Sequence, residues 1–205
     1  MRRKVMKRSW IPVACLLAFS ACVPDYVKKD RASVYLRITK VSSQSGGGNG
    51  TGGDFLNSDV TPLFNDNAIL NFDVQSKNPT ISDKLFRVND VQLEQYEVRY
   101  FRTDGRNQEG VDVPYRITGA LGTIIPAPGT GQVSIVVVRH QAKLEPPLKN
   151  LVADTAGSAQ GPFLGGELVL TVMAEITVRG HTTAGQAVEA KGTLQINFAD
   201  FAGTT

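Results

Sequence analysis

Glu167-Leu168-Val169-Leu170-Thr171-Val172-Met173-Ala174-Glu175-Ile176-Thr177-Val178-Arg179-Gly180 is the stretch that decides the fold. Leu168, Leu170, Val172, Ala174, Ile176 and Val178 fall on alternate positions, the two-residue period of a strand with one apolar face. A turn at Thr182 to Gln186 follows. Val188, Ala190, Gly192, Leu194, Ile196 and Phe198 then repeat the pattern. Together the two runs predict a long antiparallel hairpin. Its apolar face has to be buried against a second layer.

The same alternation recurs upstream. Val34, Leu36 and Ile38 alternate with Tyr35, Arg37 and Thr39 in a strand over Ser33–Val41. Ala68, Leu70, Phe72 and Val74 do so before Asn78-Pro79. Val91 to Arg102 is a third run, and the change of phase between Leu93 and Tyr96 predicts a bulge. Asp104-Gly105 marks a turn. Val111 to Ile117 reads as a short returning strand, kept at a sheet edge by Pro114. Val133 to Val138 predicts a strand buried on both sides over its last half. Ser42–Gly53 carries no apolar residue and reads as a solvated Gly-rich loop. Its glycines lack the Gly-Lys-Ser/Thr ending of a phosphate loop. Gly119–Gly131 reads as Gly/Pro-punctuated loop, and Leu144–Gly166 as loop with one helical turn near Leu148–Ala153.

Strands without alternating helices favour an antiparallel sandwich over a parallel α/β fold. The expectation is an all-β, antiparallel β-sandwich of about seven to eight strands, of immunoglobulin-like or related Greek-key type. The segment Val178 to Val188 followed by Leu194-Gln195-Ile196-Asn197-Phe198 resembles the closing hairpin of immunoglobulin-like and fibronectin-like domains. The Cys-Trp-Cys signature is absent, since the one tryptophan is Trp10.

The first residues carry a different signal. Met1-Arg2-Arg3-Lys4-Val5-Met6-Lys7-Arg8 is a basic head, and a short apolar run follows it. Leu16-Leu17-Ala18-Phe19-Ser20-Ala21-Cys22 ends that run in small residues and a cysteine. Basic head, apolar run and small residues together form a secretory signal. The run from Trp10 to Val23 is interrupted by Pro12 and falls short of the ~20 apolar residues a membrane-spanning helix needs. With Cys22 at its end, the segment resembles the lipobox of bacterial lipoproteins, although Phe19 stands where leucine is usual. The resemblance implies cleavage before Cys22, lipid on its thiol and acylation of the new amino terminus. A plain secretory signal cut near Ala21 is the alternative. Val23 and Pro24, in place of an aspartate after the cysteine, imply the outer membrane if the source is Gram-negative. Arg2-Arg3-Lys4-Val5-Met6-Lys7 also resembles a twin-arginine export motif, beside the simpler reading of an ordinary positive head.

The expected organisation is a leader over 1–21, lipidated Cys22 with a short tether over 22–32, and a single domain over 33–205. Fully extended, the ten residues after Cys22 reach about 35 Å. Five of the 22 basic residues lie in the leader, so the remaining chain has 17 against 19 acids, a net charge of −2. That removes the main argument for a nucleic-acid partner. Both cysteines, Cys15 and Cys22, are spent on leader and anchor. The domain therefore has no disulfide, thiol nucleophile or thiolate metal site.

Candidate chemistry is thin. His140 and His181 are the two histidines. They sit at the end of a predicted strand and in the last hairpin turn, with no Gly-x-Ser-x-Gly elbow and no neighbouring ligands for zinc. Both read as exposed or hydrogen-bonded. Glu94, Glu97, Glu167, Glu175 and Glu189, candidates for paired carboxylates, fall mostly on polar strand faces. Asn65-Asp66-Asn67 with Asp54 and Asp59 offers oxygen ligands for calcium, but Asx-rich segments usually make turns. Tyr96, Tyr100, Phe101 and Tyr115 offer a sugar-stacking face, of which alternation sends half to the core. No catalytic, cofactor or metal residue is assigned. Cys22 is the one site residue, for lipid attachment. The expected function is a non-catalytic, membrane-anchored interaction or structural module of the cell envelope. Its contacts would come from the loops Ser42–Gly53, Gly119–Gly131 and Thr155–Gly166. A carbohydrate-binding envelope lipoprotein and a cryptic hydrolase are the alternatives. The partner would be an envelope protein or a polysaccharide.

Overall fold

The computed structural model describes residues 32–44, 53–61, 64–78, 87–152 and 169–201. The leader, Cys22, most of the tether and the Thr155–Gly166 loop lie outside them. Eight strands follow one another: β1 Val34–Gln44, β2 Phe55–Asp59, β3 Asp66–Ser76, β4 Val91–Phe101, β5 Ile117–Ile125, β6 Gly129–Val138, β7 Leu170–Thr182 and β8 Ala187–Ala199. Two 3₁₀ turns, His140–Leu144 and Leu148–Leu151, lie between β6 and β7.

The strands form two sheets, β1-β3-β6 and β2-β8-β7-β4-β5. Their inner faces share one core. It includes Leu36, Leu70, Phe72 and Ile135 from the first sheet, and Val98, Ile176, Leu194 and Phe198 from the second. The fold is thus an all-β sandwich. The β7–β8 hairpin is its longest unit, paired from Leu170↔Phe198 to His181↔Ala187. Every inward residue expected from its alternation within the described span is buried or half-buried. Tyr100 ties the two sheets together, its hydroxyl donating to the Val137 carbonyl at 2.6 Å. Burial pushes that phenol well above its ordinary range, with a smaller opposing pull from Arg139.

The expected bulge in β4 is present. Its register slips between Leu93 and Gln95 against both β5 and β7. Gly180 faces the slip, and a Cβ there would stand 2.0 Å from the Gln92 carbonyl oxygen. The close approach of the two backbones is what requires glycine at this position.

Four expectations need correction. First, Gly119–Gly131 is not a loop. It is most of β5, a turn at Pro126 to Pro128, and the start of β6. Glycine here serves packing: a Cβ on Gly119 would overlap the Tyr96 ring. Second, Val111–Ile117 is not a strand. Val113 makes an isolated bridge to Glu109, and Ile117 opens β5. Third, Ser42, Ser43 and Gln44 continue β1 instead of opening a solvated loop, with Ser42 7% and Ser43 5% exposed. Ser43 Oγ donates to the Phe55 carbonyl at 2.7 Å, so a buried hydroxyl is satisfied by backbone. Fourth, β2 had no counterpart in the sequence reading, and it pairs with β8 in parallel, an exception to the antiparallel rule of the other pairs.

The two ends of the sandwich are held differently. At the end where the chain enters, Ala32 is already buried. The Ser33 backbone N–H donates to Gln186 Oε1 at 2.9 Å, and Ser33 Oγ is hydrogen-bonded to Asn89. The Thr183 N–H donates to the Asp90 carbonyl at 2.8 Å, and the Ala127 N–H to the Asp90 carboxylate at 3.1 Å. The opposite end, reached about 34 Å away along the eleven residues of β4, holds the most deeply buried charges among the described residues.

Candidate functional site

Asp66 opens β3, and Lys143 closes in on it from the first 3₁₀ turn. Lys143 Nζ lies 3.1 Å from Asp66 Oδ2, and both side chains are 2% exposed. Ser58 on β2 donates to the same carboxylate oxygen at 2.7 Å. Beside this pair, Asn65 Oδ1 accepts the His140 N–H at 2.8 Å and lies 3.1 Å from its Nδ1. Asn67 Oδ1 and Arg139 Nε are buried here without a hydrogen-bond partner among the described residues. The turn expected at Asn65-Asp66-Asn67 is therefore the start of a strand. The carboxylate offered to calcium faces the protein's own ammonium. Asp54 and Asp59 do not join it: Asp54 is exposed, and Asp59 accepts the Thr61 N–H at 3.1 Å. Among the described residues no three His, Cys, Asp or Glu side chains are grouped to hold a metal ion.

His181 lies within β7, two residues before the Thr183–Gln186 turn, and not in the turn itself. Its Nδ1 is 3.2 Å from Glu94 Oε1 on the solvent side of the five-stranded sheet. The cross-strand neighbours of His181 are Gln92 and Ala187, neither of which is a nucleophile. The remaining carboxylates of this face are engaged row by row. Arg179 bridges Glu189 at 3.0 Å and Glu97 at 3.3 Å, and Arg116 reaches Glu109 at 2.9 Å. Partial burial draws Arg179 down, but its hydrogen bonds to Glu189 and Glu97 outweigh it and raise its basicity. Glu175 pairs with Lys191 at 3.3 Å. Glu167 lies outside the described residues. Alternation places Glu94, Glu97, Glu175 and Glu189 on the polar faces of their strands, and all four are exposed or half-buried there.

The four aromatic candidates separate. Tyr96 and Tyr100 are core, while Phe101 and Tyr115 are exposed. The register brings Phe101 into a different group. Phe101 pairs with Met173, Met173 with Gln195, and Gln195 with Phe55. All four side chains project from the outer face, with Phe101 36% and Phe55 51% exposed. The next row toward the end of the sheet is polar. The Thr171 hydroxyl donates to Asn197 Oδ1 at 3.0 Å, and Gln195 Nε2 to the same oxygen at 3.1 Å. Asn197 Nδ2 in turn donates to Asn57 Oδ1 at 3.1 Å. Phe55, Asn57 and Met173 were not singled out from the sequence. Only the position of β2 beside β8 brings them together.

No family model matches the chain, and no curated protein does. A solved structure described as the X-ray structure of Northeast Structural Genomics Consortium target SoR45 superposes with a TM-score of 0.36 at 8% identity. The match covers 80% of this chain and 84% of that one.

Proposed function

We propose that the chain is an exported bacterial lipoprotein, anchored through lipid on Cys22, whose sandwich is a non-catalytic interaction or structural module of the cell envelope. One observation carries the reading: Cys22 follows a basic head, an apolar run and small residues in the order of a lipobox. The burial of Ala32 adds a geometric consequence. Nine residues separate Cys22 from buried Ala32, so the chain's entry end stays within about 35 Å of the lipid. Two or three acyl chains make such an anchor stable, each buried methylene contributing about 0.8 kcal/mol. Outer-membrane sorting is part of the proposal for a Gram-negative source.

A second reading, a carbohydrate-binding envelope lipoprotein, is favoured by the row from Phe55 to Phe101. The hydrolase alternative would run through His181 and Glu94, whose position on the outer face sets His181 between Gln92 and Ala187, neither of them a nucleophile.

The anchor is tested by metabolic labelling with a radioactive fatty acid and fractionation of the expressing cells. The wild-type chain is expected in the membrane fraction and labelled. Cys22→Ser is expected to lose both properties. A wild-type chain that is unlabelled and soluble would overturn the proposal.

A further inference from the structure

We infer that the entry end of the sandwich is a lipid-docking surface, which seats on the headgroup layer of the bilayer that holds the anchor. The inference rests on the anchor proposed above and adds how the domain sits against its membrane. Three turns meet at this end: residues 87–90 before β4, Pro126–Pro128 between β5 and β6, and Thr183–Gln186 between β7 and β8. Asp90 staples them together. Its carbonyl accepts the Thr183 N–H at 2.8 Å, and its carboxylate accepts the Ala127 N–H at 3.1 Å. The Val88 carbonyl accepts the Ala184 N–H at 3.0 Å. The turns therefore form one fixed surface. The chain enters on that surface, because the Ser33 N–H donates to Gln186 Oε1 at 2.9 Å.

The groups exposed here suit a boundary between water and lipid. Val88 is 45% exposed and Ile124 62%. Pro126, Pro128 and Ala184 beside them are exposed too. Two cations stand at the rim. Arg87 is exposed, and Lys77 Nζ lies 4.9 Å from the centre of the exposed Tyr35 ring. Tyrosine is enriched where bilayer meets water. Long basic side chains lay their stems along apolar surface and keep the charge at headgroup level, where anionic lipids attract it.

Charge separates this end from the other. Asp90 is the one acid among residues 87–92, 124–129 and 182–187, and it is buried. The first exposed acid along β4 is Glu94, about 10 Å from the start of the strand. The far end exposes Asp104 and Glu145. Anionic headgroups thus meet no exposed carboxylate on the three turns, whereas the far end would set two against them.

The occupant follows from where the chain leads. Nine residues join Ala32 to Cys22, a reach of about 35 Å. A linker this short holds the surface beside the lipid at an effective concentration of about millimolar. Contacts too weak to recruit a free protein are then enough to seat a tethered one.

The test is spin labelling of the full-length chain, purified from membranes and reconstituted in vesicles of phosphatidylethanolamine and phosphatidylglycerol. With Cys22 spent on lipid, Val88→Cys, Ile124→Cys and Val111→Cys each offer a single thiol at an exposed site. Val111 lies at the far end, between β4 and β5. Power saturation with oxygen and a nickel chelate measures whether each label meets lipid or water. The same labels on the Cys22→Ser chain give the unprotected reference, its serine leaving the introduced cysteine as the only thiol. Labels at 88 and 124 are expected to collide with the chelate several-fold less often on vesicles than in that reference. The label at 111 is expected to stay unchanged. A vesicle-bound chain whose labels at 88 and 124 stay as open as in the reference overturns the docking and leaves the anchor standing. Equal protection at 111 overturns the entry end as the docking surface. A chain that carries no lipid and fails to float with the vesicles overturns the anchor, and the docking with it.

Discussion

The two ends of the sandwich solve the same problem by different means. At the entry end, hydrogen bonds close the gap between chain and core: Ser33 with Asn89 and Gln186, and the Asp90 carbonyl and carboxylate with the Thr183 and Ala127 N–H groups. At the far end, the connection from β6 to β7 is pinned by a buried ion pair, Lys143 with Asp66, supported by Ser58. Neutral hydrogen bonds cost little to desolvate and each contributes about 1 kcal/mol. A buried ion pair contributes little net stability, but losing one partner strands the other charge away from water. The far end is therefore the more sensitive to single substitutions. It also carries Asn67 Oδ1 and Arg139 Nε, buried without a hydrogen-bond partner among the described residues, and the exposed Phe55–Phe101 row. Under the proposed anchoring, the entry end is the one tied within about 35 Å of the lipid.

The contrast can be broken most sharply at Lys143. Lys143→Met is expected to destabilise by about 3–5 kcal/mol in urea unfolding followed by circular dichroism. The double variant with Asp66→Leu is expected to recover much of that loss, because no charge is then left stranded. A single-variant loss under 1 kcal/mol would mean that water reaches Asp66. The matching change at the entry end, Gln186→Ala, removes the acceptor for the Ser33 N–H. It is expected to lower stability by about 1 kcal/mol in the same assay. A loss as large as that of Lys143→Met would erase the distinction between the ends.

The smallest effect belongs to Asp104, exposed in the turn after β4. Hydrogen bonding from the Arg102 guanidinium, helped by the Arg106 N–H and side chain, holds its carboxyl down to about 2 against an ordinary 3.8. A depressed carboxylate stabilises the fold above its unfolded value, and that contribution is lost as pH falls through the folded one. Wild type and Asp104→Asn should therefore differ slightly above pH 4 and converge near pH 2. Titration of the Asp104 carboxyl carbon by NMR should show its midpoint near the lower value. A midpoint near 3.8 would show that the Arg102 contact is not kept in solution.

The elements that could be read from sequence are those whose partners are close by or whose pattern is long. β7 and β8 alternate over thirteen residues each, and local periodicity alone defines their inward face. The β4 bulge shows as a change of phase between Leu93 and Tyr96. β2 could not be read that way. It has five residues, and of its inward pair Leu56 and Ser58 one is a hydroxyl. β5 was concealed by Gly119 and Gly122, one of which makes room for the Tyr96 ring. Ser43 reads as solvated because the carbonyl its hydroxyl meets, that of Phe55, lies beyond the Gly-rich stretch. Asp66 carries no local trace of Lys143, a residue far along the chain. The Phe55–Phe101 row was invisible for the same reason: it is a product of register between strands, and Phe55, Met173 and Phe101 are ordinary outward residues in their own segments.

Under the proposed anchoring, Cys22 sets where the entry end lies. The most direct test is intact mass spectrometry of the chain purified from the membrane fraction, beside Cys22→Ser. The account predicts a chain beginning at Cys22 with the added mass of a diacylglycerol and an acyl group, an addition absent from the variant. An unlipidated chain beginning near Val23 would contradict it and make the protein freely secreted.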